Sequence, residues 1–229
     1  MRKGSVLRHV VSALFVLAAL LLLSTKVLAT PLLPGATVVP GAITLLGDTL
    51  LADTGIQNLT SSTPNDWTAT LQAQVYRNSG GTLDFVYQFH NNANSSTALG
   101  RVTGSNFGAS FTTDVFFDTT DTLSLGATTA GLLPSSADRG TCPSCLVVGF
   151  TFNTSPTKVL PGETTPILLV RTNATDFTTG FASLINSGVG AGSAFEPVVS
   201  AVPEPGTLLL LGTGLVMLTG VARRWWQHE

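Results

Sequence analysis

The chain has 229 residues, and only 10% of its side chains are charged against 44% that are hydrophobic. Between residues 30 and 198 five basic side chains (Arg77, Arg101, Arg139, Lys158 and Arg171) meet eleven acidic ones, a local balance of about −6 against −2 for the whole chain. That length suits one or two domains, and a mildly acidic stretch with one lysine excludes the basic footprint that nucleic-acid binding requires. Low charge does not mean disorder here, because Val, Phe, Leu and Ile are frequent enough to bury a core.

In chain order, the first segment has three parts. Arg2, Lys3 and Arg8 make a positive start, residues 10–23 are apolar except for Ser12, and Val27-Leu28-Ala29 follows. This is the pattern of a secretory signal peptide over residues 1–29, with cleavage after Ala29. The competing reading is an uncleaved membrane helix. Fourteen apolar residues reach roughly 21 Å as a helix, short of a hydrocarbon core of about 30 Å.

Residues 30–198 predict a body of strands. Lys, Glu and Gln, the usual fillers of exposed helix faces, are scarce. In residues 67–77, Trp67, Ala69, Leu71, Ala73 and Val75 alternate with Thr68, Thr70, Gln72, Gln74 and Tyr76. In residues 82–90, Leu83, Phe85, Tyr87 and Phe89 alternate with Thr82, Asp84, Gln88 and His90, and only Val86 breaks the pattern. A period of two marks strands with one buried face. Asn78-Ser79-Gly80-Gly81 between them suits a tight hairpin. Further strands are expected at 110–117, 146–152, 167–172 and 177–185, with an early one in 42–51. Turns rich in Pro, Gly and Asn separate them, so the expected fold is all-β, an antiparallel β-sandwich. The glycine-rich run at 188–193, followed by 198–202, reads as an exit into a short linker.

Several residues in this body invite chemical readings. Cys142-Pro143-Ser144-Cys145 has the spacing of a thiol–disulfide oxidoreductase, whose motif opens a helix. Here it lies between a turn and an expected strand, and these are the chain's two cysteines. The favoured reading is a structural disulfide closing a small loop, worth roughly 2 kcal/mol by loop entropy. Asp114, Asp118 and Asp121 suggest calcium, but their spacing is not that of an EF-hand loop, so turn-forming aspartates are preferred. His90 with Asp84 and a serine evokes a triad, yet no Gly-x-Ser-x-Gly elbow is present. Asn58, Asn94, Asn153 and Asn173 begin glycosylation-type triplets that arise easily by chance in so Asn- and Thr-rich a chain. Most aromatics fall on the core parity, Tyr76 excepted, which disfavours an open sugar-stacking face. No catalytic set, cofactor or metal site is expected.

Residues 199–229 form the tail. Residues 207–222 carry no charge and span roughly 24 Å as a helix, and Trp225 and Trp226 extend it toward a full crossing. Arg223 and Arg224 then stay on the cytoplasmic side. Pro203 and Pro205 lack amide hydrogens and flank Glu204, so the stretch before the span stays extended and readable by a protease. A removable hydrophobic tail has a physical parallel in glycolipid-anchor signals.

Pro203-Glu204-Pro205, the apolar run and Arg223-Arg224 resemble a PEP-CTERM sorting domain. The one departure is the ending, Trp225 to Glu229, where further basic residues are common. The resemblance implies an exported bacterial protein handled by an exosortase, from a Gram-negative species that makes extracellular polysaccharide. It assigns no activity to the body. The expected whole is a non-enzymatic protein of the cell surface or extracellular polymer, such as a biofilm matrix. Its processing partners are signal peptidase and exosortase, and its precursor is held in the inner membrane. The competing expectation is a carbohydrate-binding or adhesion module that contacts extracellular polysaccharide.

Overall fold

β-Branched and aromatic side chains pack well on a pleated surface, and the Thr-, Val- and Phe-rich segments of this chain become strands. The structure is a computed structural model and describes residues 30–45, 48–142, 146–152 and 158–199. No helix occurs among the described residues. Six strands form one sheet: β1 (Thr37–Val38), β7 (Arg101–Gly104), β9 (Ser136–Arg139), β10 (Val148–Thr151), β12 (Asp176–Ile185) and β13 (Val189–Val198). Their order is β1-β9-β10-β7-β12-β13, and every pairing is antiparallel. The second sheet holds β2 (Gly41–Ala42), β3 (Thr49–Asp53), β4 (Gln57–Thr60), β5 (Thr68–Arg77), β6 (Leu83–Asn91), β8 (Thr113–Asp118) and β11 (Ile167–Thr172). Its order is β2-β8-β11-β6-β5-β3, with β4 also paired to β5.

One pairing corrects the expectation of purely antiparallel sheets. β2 runs parallel to β8, with Gly41 opposite Phe116. The cause is the path of the chain. Pro31 enters antiparallel to β8 at Asp114, the chain crosses to lay β1 on β9, and it returns reversed. The N-terminal stretch thereby laces the two sheets together.

A single apolar core lies between the sheets. Ala69, Leu71, Ala73 and Val75 of β5 and Phe85, Tyr87 and Phe89 of β6 meet Val102, Val148, Phe150, Ala182 and Leu184 of the opposite sheet. Phe85 meets Phe107 edge-on at 5.4 Å between ring centroids, and Phe89 meets Phe152 at 5.8 Å. The expected hairpin is present, with Gly81 at a φ of 83° and Arg77 opposite Leu83.

The expectation of one buried face holds only in part. The outer face of β5 and β6 is also covered. Val86, the residue that broke the alternation, joins Leu45, Phe116, Leu123, Ile167 and Leu169 in a second apolar cluster. Gln72 and Gln88 stitch the covering loop down. The Gln72 side-chain carbonyl accepts the Ser124 amide at 2.9 Å, and that of Gln88 accepts the Leu123 amide at 3.2 Å. These two glutamines thus serve as loop anchors rather than as solvent contacts.

The glycine-rich run read as a linker is instead β13, ten residues long and paired along its whole length with β12. Its glycines answer a close approach. A Cβ on Gly190 would lie 2.6 Å from the Trp67 ring and 2.7 Å from the Thr60 carbonyl. The free edge of β13 is partly sealed by the other sheet's chain. Gln57 bonds both backbone groups of Ser193, at 2.7 and 2.8 Å. Ser62 does the same for Val189 at 2.9 and 3.0 Å.

Gly190→Val is expected to cost about 1–3 kcal/mol through overpacking against Trp67. Ala191→Val, at the next, exposed position, should shift stability by no more than about 0.5 kcal/mol. Equilibrium urea unfolding of the two variants checks the difference.

Candidate functional site

The region that matters for the tail is the end of the body from which it leaves. β13 stops at Val198, and Val199 is exposed. Pro203 lies five residues beyond Val198, at most about 18 Å of extended chain. Val198 and Val199 border a small groove with Phe111 and Ala174. A second groove of about 580 Å³ adjoins it, sharing Ser110 and Phe111 and reaching Pro31, Leu32 and Leu33. The first residues after the expected cleavage site and the last residues of β13 therefore flank one loop.

Arg139 of β9 organises that loop. It is 3% exposed. Its Nη2 donates to the Phe107 and Gly108 carbonyls at 2.5 and 2.6 Å, and its Nη1 donates to Thr113 Oγ1 at 3.0 Å. Burial lowers its pKa, yet a guanidinium stays charged across the physiological range. Five N–H donors in a fixed fork suit a set of converging carbonyls better than any other side chain. Arg139 figured in the sequence only as one of five basic residues. Nothing local distinguishes it, because its partners lie 26 to 32 positions away.

A second charged centre lies on the outer face of the seven-stranded sheet. Arg171 of β11 stands in register with Asp84 of β6 and Asp114 of β8. Its Nε and Nη2 donate to the fully buried Asp84 carboxylate at 2.9 and 2.6 Å, and Asn78 adds a third donor at 2.9 Å. The guanidinium also sits 5.5 Å above the Phe116 ring and 4.0 Å from Asp48. Hydrogen bonding to Asp84 raises the Arg171 pKa. Partial burial raises the carboxyl pKa values of Asp114 and Asp48, with Asp84 adding to both. This centre stabilises the sheet and has no groove of its own among those described.

The residues singled out in the sequence are mostly dispersed. His90 is half-buried, with Nδ1 2.9 Å from Thr164 Oγ1. Asp84 lies six residues along the same strand, roughly 20 Å away, so no triad forms between them. Asp118 is buried, and its carboxylate accepts the amides of Leu45, Thr120 and Asp121 at 3.0, 2.7 and 3.2 Å. That is the turn role expected for it. Among the described residues no three His, Cys, Asp or Glu side chains are placed to hold a metal ion. Cys142 stands on an exposed turn between β9 and β10. Cys145, Ala29, Pro203, Glu204, Pro205, Arg223, Arg224 and the expected span at 207–222 lie outside the described residues.

A polar groove of about 280 Å³ sits beside Trp67, walled by Asn65, Asp66, Asn94 and Ser95. The Trp67 ring is 1% exposed, so it offers no open stacking face. Asp66 is taken up by the hydroxyls of Thr97, Ser187 and Ser61. These bonds, that of Thr97 foremost, hold its carboxyl below the usual range.

The all-β body ends five residues before Pro-Glu-Pro, which is followed by an uncharged run and two arginines. Residues 201–224 match the family model of the PEP-CTERM protein-sorting motif. The chain is thus a PEP-CTERM motif-bearing protein, and the motif indicates export and targeting to an exosortase. The matched stretch includes Pro203, Glu204, Pro205, Arg223 and Arg224 and none of the body. No curated protein and no solved structure matches the chain at a significant level.

Arg171→Met leaves the buried Asp84 carboxylate without its ion partner and is expected to cost about 3 kcal/mol. Asp114→Asn should act in the opposite sense. A carboxyl whose folded pKa is raised contributes stability below its unfolded value and loses it as pH rises through the folded one. The Asn variant therefore matches the native protein near pH 3 and exceeds it at pH 7, by a few tenths of a kcal/mol given partial exposure. Urea midpoints at the two pH values test both variants.

Proposed function

We propose that this is a non-enzymatic protein of the cell surface or extracellular polymer, delivered by its own removable tail. The observation that carries the reading is the sorting motif at 201–224, which begins three residues after β13 ends. Signal peptidase cuts after Ala29 and the body folds outside the inner membrane. Arg223 and Arg224 hold the end of the tail inside, because moving them into hydrocarbon is costly. Exosortase then reads Pro203-Glu204-Pro205, where two missing amide donors keep the backbone from extending the helix. The body is the cargo. Cys142 pairs with Cys145 and stiffens the turn leading into β10.

A second reading, a carbohydrate-binding module, draws on the polar groove beside Trp67, where amides and hydroxyls are offered together. The buried indole weighs against it, since sugar platforms present an aromatic face. Retention of the protein on polysaccharide from its host would favour this reading, and loss of that retention in Asn94→Ala would place the site.

Intact mass and C-terminal peptide mapping of protein from its host, split into membrane and extracellular fractions, test the first reading. A mature form ending near residues 203–205 is the expected result. A membrane-bound form that still carries Arg223 and Arg224 would make the tail a permanent anchor. In the same spectra, alkylation of Cys142 and Cys145 only after reduction confirms the disulfide.

A further inference from the structure

We propose that the end of the body carrying Leu33, Phe111, Leu146 and Val199 is a lipid-docking surface that rests on the outer face of the membrane while the tail is anchored. The proposal rests on the reading of residues 207–222 as a membrane span. Three of these side chains are large, apolar and exposed: Leu33 at 67%, Leu146 at 46% and Val199 at 69%. They surround one loop. Leu33 and Phe111 share the larger groove, and Phe111 and Val199 share the smaller one. The Leu146 carbonyl accepts the Phe107 amide at 2.7 Å, and Leu146 reaches to Gly108.

The length of chain beyond β13 selects the occupant. Nine Cα steps separate Val198 from Thr207, at most about 32 Å when fully extended. A folded body on so short a tether keeps its exit end at the bilayer surface, at high effective concentration. The chemistry selects the kind of lipid contact. The charged side chains lining the two grooves are Asp114 and Arg139, and the guanidinium of Arg139 is spent on carbonyls below the surface. Attraction to anionic headgroups has no source there. The contact is apolar, with Leu33 and Val199 entering the headgroup boundary and the groove filled by acyl chain.

The opposite end of the body supplies an internal reference. Leu83 donates to the Ala174 carbonyl beside the smaller groove, whereas Asn91, at the far end of β6, accepts from Gly162. Leu160, 51% exposed, lies at that far end.

The test is hydroxyl-radical labelling of the chain from Thr30 to Glu229, the form left after signal-peptide removal, one copy per nanodisc of zwitterionic phosphatidylcholine. It is compared with a variant carrying about 30 flexible residues inserted after Val199. The insertion lowers effective concentration by roughly tenfold on the −3/2 power of tether length. Leu33 and Phe111 should be labelled more slowly with the native tether, by up to that factor, and Leu160 equally in both. Adding anionic lipid should change nothing. The double variant Leu33→Asp, Val199→Asp should restore fast labelling of Phe111 and leave Leu160 unaffected. Equal labelling of Leu33 in the native and extended chains, with both retained in discs, would overturn the docking surface alone. Failure of the chain to stay in the disc would overturn the span and the surface with it. Protection that appears only with two copies per disc would assign the face to a second copy and also overturn the proposal.

Discussion

The separation of the two sheets at Gly190 governs how this body ends. Trp67 and the Thr60 carbonyl sit where a side chain at that position would be, so the last strand needs a glycine there. That constraint makes β13 part of the core rather than an appendage. Ala194, two turns of the pleat further on, is fully buried in the same core. Gln57 and Ser62 then occupy hydrogen-bonding positions that an incoming strand would use. Edge strands left open are templates for aggregation, and these contacts seal part of this one. Because the core runs to the last strand, the sorting motif starts almost at the folded surface.

The seven-stranded sheet meets a different demand. Its outer face carries charged and amide side chains, and Gln72, Gln74, Asp84 and Gln88 are buried there. Each then needs a partner, since an unpaired buried polar group costs about 1–3 kcal/mol. Arg171 answers for Asp84 by standing between β6 and β8, in register with an aspartate on either side. Gln72 and Gln88 answer by gripping the backbone of the loop that buries them. The cover and the polar face depend on each other, and Arg139 repeats the arrangement at the end of the body, where one guanidinium holds the backbone of residues 107–111.

The sequence showed the strands whose alternation is strong, and showed them where local pattern suffices. β5, β6 and β11 were expected within a residue or so of their ends, as was the hairpin at Asn78–Gly81. Short strands such as β1, β4, β7 and β9 were not, because four residues or fewer carry too little periodicity. β13 was misread because glycine signals a turn when taken locally. Here it reports on Trp67, more than a hundred residues away in the chain. Val86 looked like noise and is in fact the mark of the second apolar cluster. Arg171 and Arg139 were invisible as centres, since their partners are set by strand order, which alternation does not reveal. The tail was legible for the opposite reason. Its physics is linear: two prolines, an uncharged run and a pair of arginines act in sequence order and need no fold to bring them together.

On the proposed reading, the tail is a self-sufficient address and the body its passenger. The most direct measurement is to append residues 199–229 to an unrelated exported β-domain and map the reporter's C-terminus in the host that carries the exosortase. The account predicts a cut at the position used in the native chain and loss of Arg223 and Arg224 from the mature reporter. A reporter that stays intact in the membrane, while the native chain is cut, would contradict it and show that the body takes part in its own sorting.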